Sequence, residues 1–251
     1  MSIMVAALVT ANTHDRTHYI STAQEISRPW FARFLKLPLI LFVSRWPWIG
    51  MLERLETQTK VLIKMPPAAA HGDYTSVVFP IQEKVSNYLR TCKTPYCNHS
   101  FFELMESLAM HWKLRNIRMI EVGSNLGDCS LWAAAMYDIY VVAFEPLAES
   151  AEVFRQSVTA SKMTNLFTIH EAAVGGEVGT ADFFMLGEEI GNGWAYSATS
   201  NPDNDNVTKI TVNVTTLNEA VPVADTNDVF KIWAFGDTLN VIRAASKLFA
   251  T

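Results

Sequence analysis

The sequence has no basic field, no dinucleotide-binding fingerprint, no phosphate-binding P-loop and no uninterrupted apolar run long enough to span a bilayer. Lys and Arg number 20 against 25 Asp and Glu, a net charge of −5. A nucleic acid is therefore disfavoured as the main partner, because backbone binding needs clustered cations. Cysteine is scarce as well, and three residues cannot form an even disulfide framework. Cys129 falls in an apolar helical stretch, where a thiol is expected as a small core residue. Cys92, Cys97 and His99, in TCKTPYCNH, lack the spacing and the second cluster of a zinc site. No metal is expected there, and the segment reads as a turn carrying two free thiols.

The most apolar later stretch, residues 35–52, is broken by Lys36, Pro38, Arg45 and Pro47 and is too short to cross a membrane. With Trp30, Trp46 and Trp48 around it, the 30–50 region is expected to dock on the domain or to make peripheral membrane contact. The opening MSIMVAALVTA lacks the positive start of a signal peptide. The cytoplasm is the expected compartment, with membrane association or the secretory pathway as the alternative. Only in the latter would the three sequons, at Asn98, Asn206 and Asn213, matter.

What the chain does have is apolar material, 49% of 251 residues, enough for one large domain with an N-terminal appendage. Residues 1–75 read as a helical region of unassigned role. The boundary is placed in KMPPAAAHGDYTS (64–76), where paired prolines and Gly-Asp break regular structure. Residues 76–251 begin with two amphipathic helices, 79–91 and 99–112, the second with Ser100 and Glu103 spaced as a capping box.

From 117 the pattern alternates: IRMIEV, LGDCSLWAAAMYD, YVVAFEP, ESAEVFRQSVTAS, LFTIHEAAV. Strand, helix, strand, helix, strand predicts an α/β fold with a parallel sheet. YVVAF is apolar on both faces, as a strand covered by helices on each side should be. Two further strands follow at 180–186 and 207–217, separated by a polar Gly/Asn-rich loop. A buried strand at 228–233, a glycine turn and a last helix complete the pattern.

The segment MIEVGSNLGDCSLWAAA, residues 119–135, joins the first strand to the first helix of this series. In a doubly wound sheet cofactors lie there, outside the carboxyl ends of the strands. The register Gly123-Ser124-Asn125-Leu126-Gly127-Asp128 puts Asn125 where a dinucleotide loop needs its second glycine. Asp128 would add like charge beside a pyrophosphate.

A different ligand suits these residues, with an ammonium, a sulfonium and a carboxylate at one end and an adenosine at the other: S-adenosylmethionine. Glu121 is expected to meet the ammonium. Gly123, in one loop with Ser124 and Asn125, lets the backbone pass under the amino-acid end, and the first helix amides near Gly127 and Asp128 face the carboxylate. Glu145, at the end of the next strand, is placed to accept both ribose hydroxyls. Phe144 and Pro146, with Leu147, are expected along one face of the adenine, and Glu171 and Ala172 at its edge.

With these motifs, residues 100–251 resemble the FkbM-type family of S-adenosylmethionine-dependent methyltransferases. IEVGSNLGDCSLWAA is similar to the family's glycine-loop segment, VVAFEP to its second-strand acidic motif, and HEAAVGGEVGTADFF and VNVTTLNEAV to later segments. The resemblance implies a Rossmann-like class I fold and methyl transfer, commonly to a hydroxyl oxygen of a small molecule or glycan-like acceptor.

Two departures matter. Where the family carries K-I-D-x-E-G-x-E, this chain has Lys231-Ile232-Trp233-Ala234-Phe235-Gly236-Asp237, so Trp233 and Phe235 replace two carboxylates beside the acceptor position. Asp237 and His170 are candidate bases, and no catalytic residue is assigned. The sheet is also expected to be incomplete on its C-terminal side, its last strand covered by the N-terminal segment, by a partner or self-association, or by strands of a longer protein. Three functions follow: an active methyltransferase; a catalytically impaired cofactor-binding or interaction protein; and, ranked last, a nicotinamide-dependent oxidoreductase.

Overall fold

A computed structural model describes residues 8–9, 60–66, 68–79, 84–111, 115–186, 195–197, 207–233 and 238–249. The proposed membrane-surface segment 30–50, most of the 187–206 loop, Phe235 and Asp237 lie outside them. Chain order runs β1 (Leu8–Val9), β2 (Val61–Lys64), β3 (Thr75–Val78), α1 (Lys84–Cys92) and α2 (His99–Glu106), then β4 (Ile117–Val122) and α3 (Asp128–Tyr137). It continues through β5 (Tyr140–Phe144), α4 (Ala148–Ala160), β6 (Phe167–His170), β7 (Ala173–Val174), β8 (Gly179–Leu186) and β9 (Ala195–Ser197). The last elements are β10 (Val207–Thr215), α5 (Leu217–Ala220), β11 (Asn227–Ile232), α6 (Thr238–Arg243) and α7 (Ser246–Phe249).

The fold is α/β and Rossmann-like. The central sheet has the order β1-β11-β4-β5-β6, with every neighbouring pair parallel. The chain steps outward from β4 to β5 and β6, then returns to lay β11 on the other side of β4. That reversal makes the crevice between β4 and β11 the topological switch point, the usual ligand position in such sheets.

β4 is buried at every residue, and successive side chains feed two cores. Met119, Val141 and Ala143 join α3 and α4 on one face, while Ile120, Val142 and Phe144 join Leu217, Val241 and Leu248 on the other. At the opposite end of the sheet from the switch point, buried Arg118 of β4 holds Asp228 of β11 in a two-pronged pair at 2.9 and 2.6 Å. Its third nitrogen, Nη1, donates to the Pro222 carbonyl at 2.7 Å.

Several expectations change. Residues 61–64, read as the end of a helical region, form a strand that pairs antiparallel with 75–78. The hairpin packs on α4, where Ser157 Oγ accepts from the Val77 N–H at 2.7 Å and Ser161 Oγ from the Thr75 N–H at 2.9 Å. Helix hydroxyls thus satisfy the backbone groups on the strand edge that β2 does not pair. Helix α2 is capped by Asn98 rather than Ser100, its side chain accepting from the Ser100 N–H at 3.0 Å.

The strand expected over 166–174 breaks at Glu171 and Ala172, so that β6 belongs to the parallel sheet. β7 instead opens a second sheet of order β7-β10-β8-β9. The outer side of β11 is met by the N-terminal segment, Leu8 pairing with Lys231 and Val9 with Ile232 in parallel. Among the described residues, no helix is long and apolar enough to cross a membrane.

Candidate functional site

The site is built where β4 and β5 end. Glu121, the penultimate residue of β4, is fully buried. It lies directly across from Lys231 in the β4–β11 register, and the Lys231 Nζ donates to its Oε1 at 2.5 Å. Its other oxygen accepts from the Ser130 hydroxyl, one turn into α3. The place expected for a ligand ammonium therefore already holds an ammonium from the chain.

Beyond Val122 the ladder continues for two residues, because the Gly123 and Ser124 N–H groups both donate to the Phe144 carbonyl, at 2.9 and 3.0 Å. Gly123 has φ +76°, and a Cβ there would stand 2.4 Å from the Trp233 carbonyl oxygen. The glycine is needed by the close approach of the end of β11, a reason internal to the fold. Asn125 also has positive φ, and its N–H points to Glu145, whose Oε2 accepts at 2.7 Å. The other Glu145 oxygen accepts from the Leu147 N–H at 3.0 Å. One carboxylate thus ties the β4–α3 turn to the β5–α4 turn. Gly127, at φ +70°, precedes α3 with the Phe154 ring filling the space of a Cβ.

At the start of α3, Asp128 is buried and accepts from the Tyr96 N–H. The next residue, Cys129, is disulfide-bonded to Cys97. The expectation of an unpaired core thiol at Cys129 and a free one at Cys97 is corrected: two cysteines 32 positions apart have no local signature, and they meet because residues 96–97 are drawn over the N-terminus of α3. Cys92 is free and exposed.

Three carboxyl groups thus lie buried around one turn. Burial is the main cause that pushes Asp128 up to about 6, with Glu121 adding to the rise and Lys231 and the Tyr96 amide opposing it. Glu145 is pushed up to about 7, again chiefly by burial, against the pull of its two backbone donors. A group that brings positive charge to this turn would favour their ionised forms.

The remaining predicted residues spread over the rim. Phe144 is fully buried in the second core and stacks on His170 with ring centres 4.8 Å apart. Its ring lies among the apolar side chains of that core. His170 is half-buried, burial lowers its pKa, and its Nε2 has no hydrogen-bond partner among the described residues. Pro146 is half-buried and Ala172 buried at the strand ends. Glu171 turns outward to Arg155 at 3.1 Å. Sequence reasoning missed Ser130 and the Lys231–Glu121 pair; the sequence signal for the latter was a lone lysine at the apolar end of β11.

No family model and no curated protein matches the chain. Solved structures similar to parts of it include the METTL16 MTase domain, at 19% identity and a TM-score of 0.27 over 29% of each chain. The N-terminal domain of human METTL16 is similar at 17% identity and a TM-score of 0.27, also over 29% of each chain. A protein from Staphylococcus aureus described as a caffeoyl-CoA O-methyltransferase shares 18% identity over 33% of this chain and 39% of its own, with a TM-score of 0.28. The chain spans less than two fifths of the length of each, and segments this short transfer no activity.

Proposed function

We propose that the turn between β4 and α3 binds S-adenosylmethionine and that the protein is an FkbM-type methyltransferase acting on a hydroxyl of a small molecule or glycan-like acceptor. The observation that carries this reading is the buried carboxyl cluster of Glu121, Asp128 and Glu145 at the switch point, a surplus of acid suited to a ligand bearing an ammonium and a sulfonium. A pyrophosphate would meet that same charge unfavourably, which keeps the nicotinamide reading last.

The residues present fit the ligand. Each Glu145 oxygen spends one acceptor position on a backbone amide and keeps another for a ribose hydroxyl. Glu121 exchanges part of its bond to Lys231 for the ligand ammonium. When bound, S-adenosylmethionine supplies a methyl group activated by the sulfonium, so the chain's task is to orient the acceptor and exclude water.

A second reading, a cofactor-binding protein without transfer activity, is favoured by Trp233. This residue is 45% exposed where the resembled family has a carboxylate. Transfer of a labelled methyl across a panel of hydroxyl acceptors separates the two, since binding without transfer supports the second.

Glu145→Gln tests the ribose assignment. The substitution keeps one acceptor and removes the charge, and a charge-assisted hydrogen bond contributes about 1.5–3 kcal/mol. Affinity for S-adenosylhomocysteine, measured by calorimetry, should fall by about ten- to a hundredfold. Unchanged affinity in a folded variant refutes the assignment.

A further inference from the structure

We infer that this chain matures in an oxidising, glycosylating compartment, with Cys97 and Cys129 joined and with Asn98 and Asn213 as N-glycan acceptors. The first observation is the disulfide itself. Its Cα atoms are 5.8 Å apart, and Cys129 is 4% exposed in the core between α3 and the chain that crosses it. Catalytic and sensing cysteines are low-pKa, accessible thiols. Here one cysteine is buried and the other half-buried, and the bond fastens one segment over a helix start; such a bond is structural, and structural disulfides belong to oxidising compartments.

The second observation is independent of the first. Of the three sequons, two have their asparagine among the residues with a described surface, and both asparagines are exposed. Asn98 precedes α2, next to Cys97. Its hydrogen bond to the Ser100 N–H uses Oδ1, which leaves that bond compatible with a substituent on Nδ2. Asn213 stands on the outward face of β10, opposite Thr180 and one residue after buried Val212. An acceptor asparagine must keep a bulky, hydrated glycan in solvent after folding, and these two positions do so.

Both steps balance. Closing the disulfide takes two electrons and two protons from Cys97 and Cys129, which pass to the disulfide of a thiol oxidant and reduce it to a dithiol. Glycan transfer forms a bond from the asparagine Nδ2 to C1 of a lipid-diphosphate-linked oligosaccharide. The C1–O bond breaks, the lipid diphosphate leaves with the electron pair, and the amide proton passes to a base of the transferase. This placement replaces the cytoplasmic expectation and does not depend on the ligand proposed for the β4–α3 turn.

Protein isolated from its own cells decides the matter. Denatured without reductant and alkylated, it should gain one adduct, at Cys92, and three after reduction. Peptide N-glycosidase should lower its mass and leave aspartate at positions 98 and 213, and Asn98→Gln and Asn213→Gln should each abolish one of the two marks. Three thiols open to alkylation before reduction would overturn the inference. So would a mass unchanged by the glycosidase.

Discussion

Gly127→Ala is expected to lower folding stability by about 2–5 kcal/mol, from about 1–2 for a non-glycine residue in the left-handed region and about 1–3 for overpacking. The cause is local and complete. A Cβ at this position would lie 2.1 Å from the ring of Phe154, a residue of α4 that is fully buried. Neither side can give way, because Gly127 sits at the junction of the turn and α3, and Phe154 is wedged against Phe167 with ring centres 5.6 Å apart. Urea unfolding of the single variant and of Gly127→Ala with Phe154→Leu separates the two contributions. The smaller side chain should restore the packing part and leave the backbone part. A loss under about 1 kcal/mol would contradict the geometry of the turn.

Lys231→Met should cost about 3–5 kcal/mol near pH 7.5, the range for stripping one partner from a buried pair. Its side chain is 13% exposed and its ammonium lies against the fully buried Glu121; the Lys231 charge also acts on Asp128, and the Glu121 charge on both Asp128 and Glu145. The penalty is expected to depend on pH. Asp128 and Glu145 already have folded pKa values above their unfolded ones, at about 6 and about 7. An acid of that kind lowers stability as pH rises from its unfolded pKa through its folded one. Removing Lys231 takes away the charge that restrains Asp128, so the rise steepens. Unfolding midpoints at pH 7.5 and 5.5 should show a markedly smaller penalty at the lower pH. Equal penalties at both would mean that the three carboxyls do not act as one cluster.

The sheet was legible because its strands carry their own pattern. YVVAF is apolar on both faces, and the alternation of IRMIEV, YVVAF and LFTIHEAAV with helical segments predicted a parallel arrangement that the register confirms. The glycine turn was legible in position but not in cause. Gly123 and Gly127 are required by Trp233 and Phe154, partners 110 and 27 residues away, which no local pattern announces. The partners of Phe144 are also distant in sequence. The pattern of YVVAF predicts cover on both faces of β5, and the packing of α5, α6 and α7 shows which elements cover the Phe144 side. The Cys97–Cys129 bond and the pairing of β1 with β11 are equally non-local. The acidic character of the site, by contrast, could be read from Glu121, Asp128 and Glu145 alone; the structure added its burial and its counter-charge.

Calorimetric titration with S-adenosylmethionine and with NAD, at pH 7.5 and pH 6.0, tests the central claim most directly. Binding of a positively charged ligand should draw protons from Asp128 and Glu145 at the lower pH. S-adenosylmethionine should therefore bind at both values and several-fold to about tenfold more tightly at pH 7.5, with proton release at pH 6.0. NAD should not bind. Binding of NAD without S-adenosylmethionine, or an S-adenosylmethionine affinity that improves as the pH falls, would contradict the account.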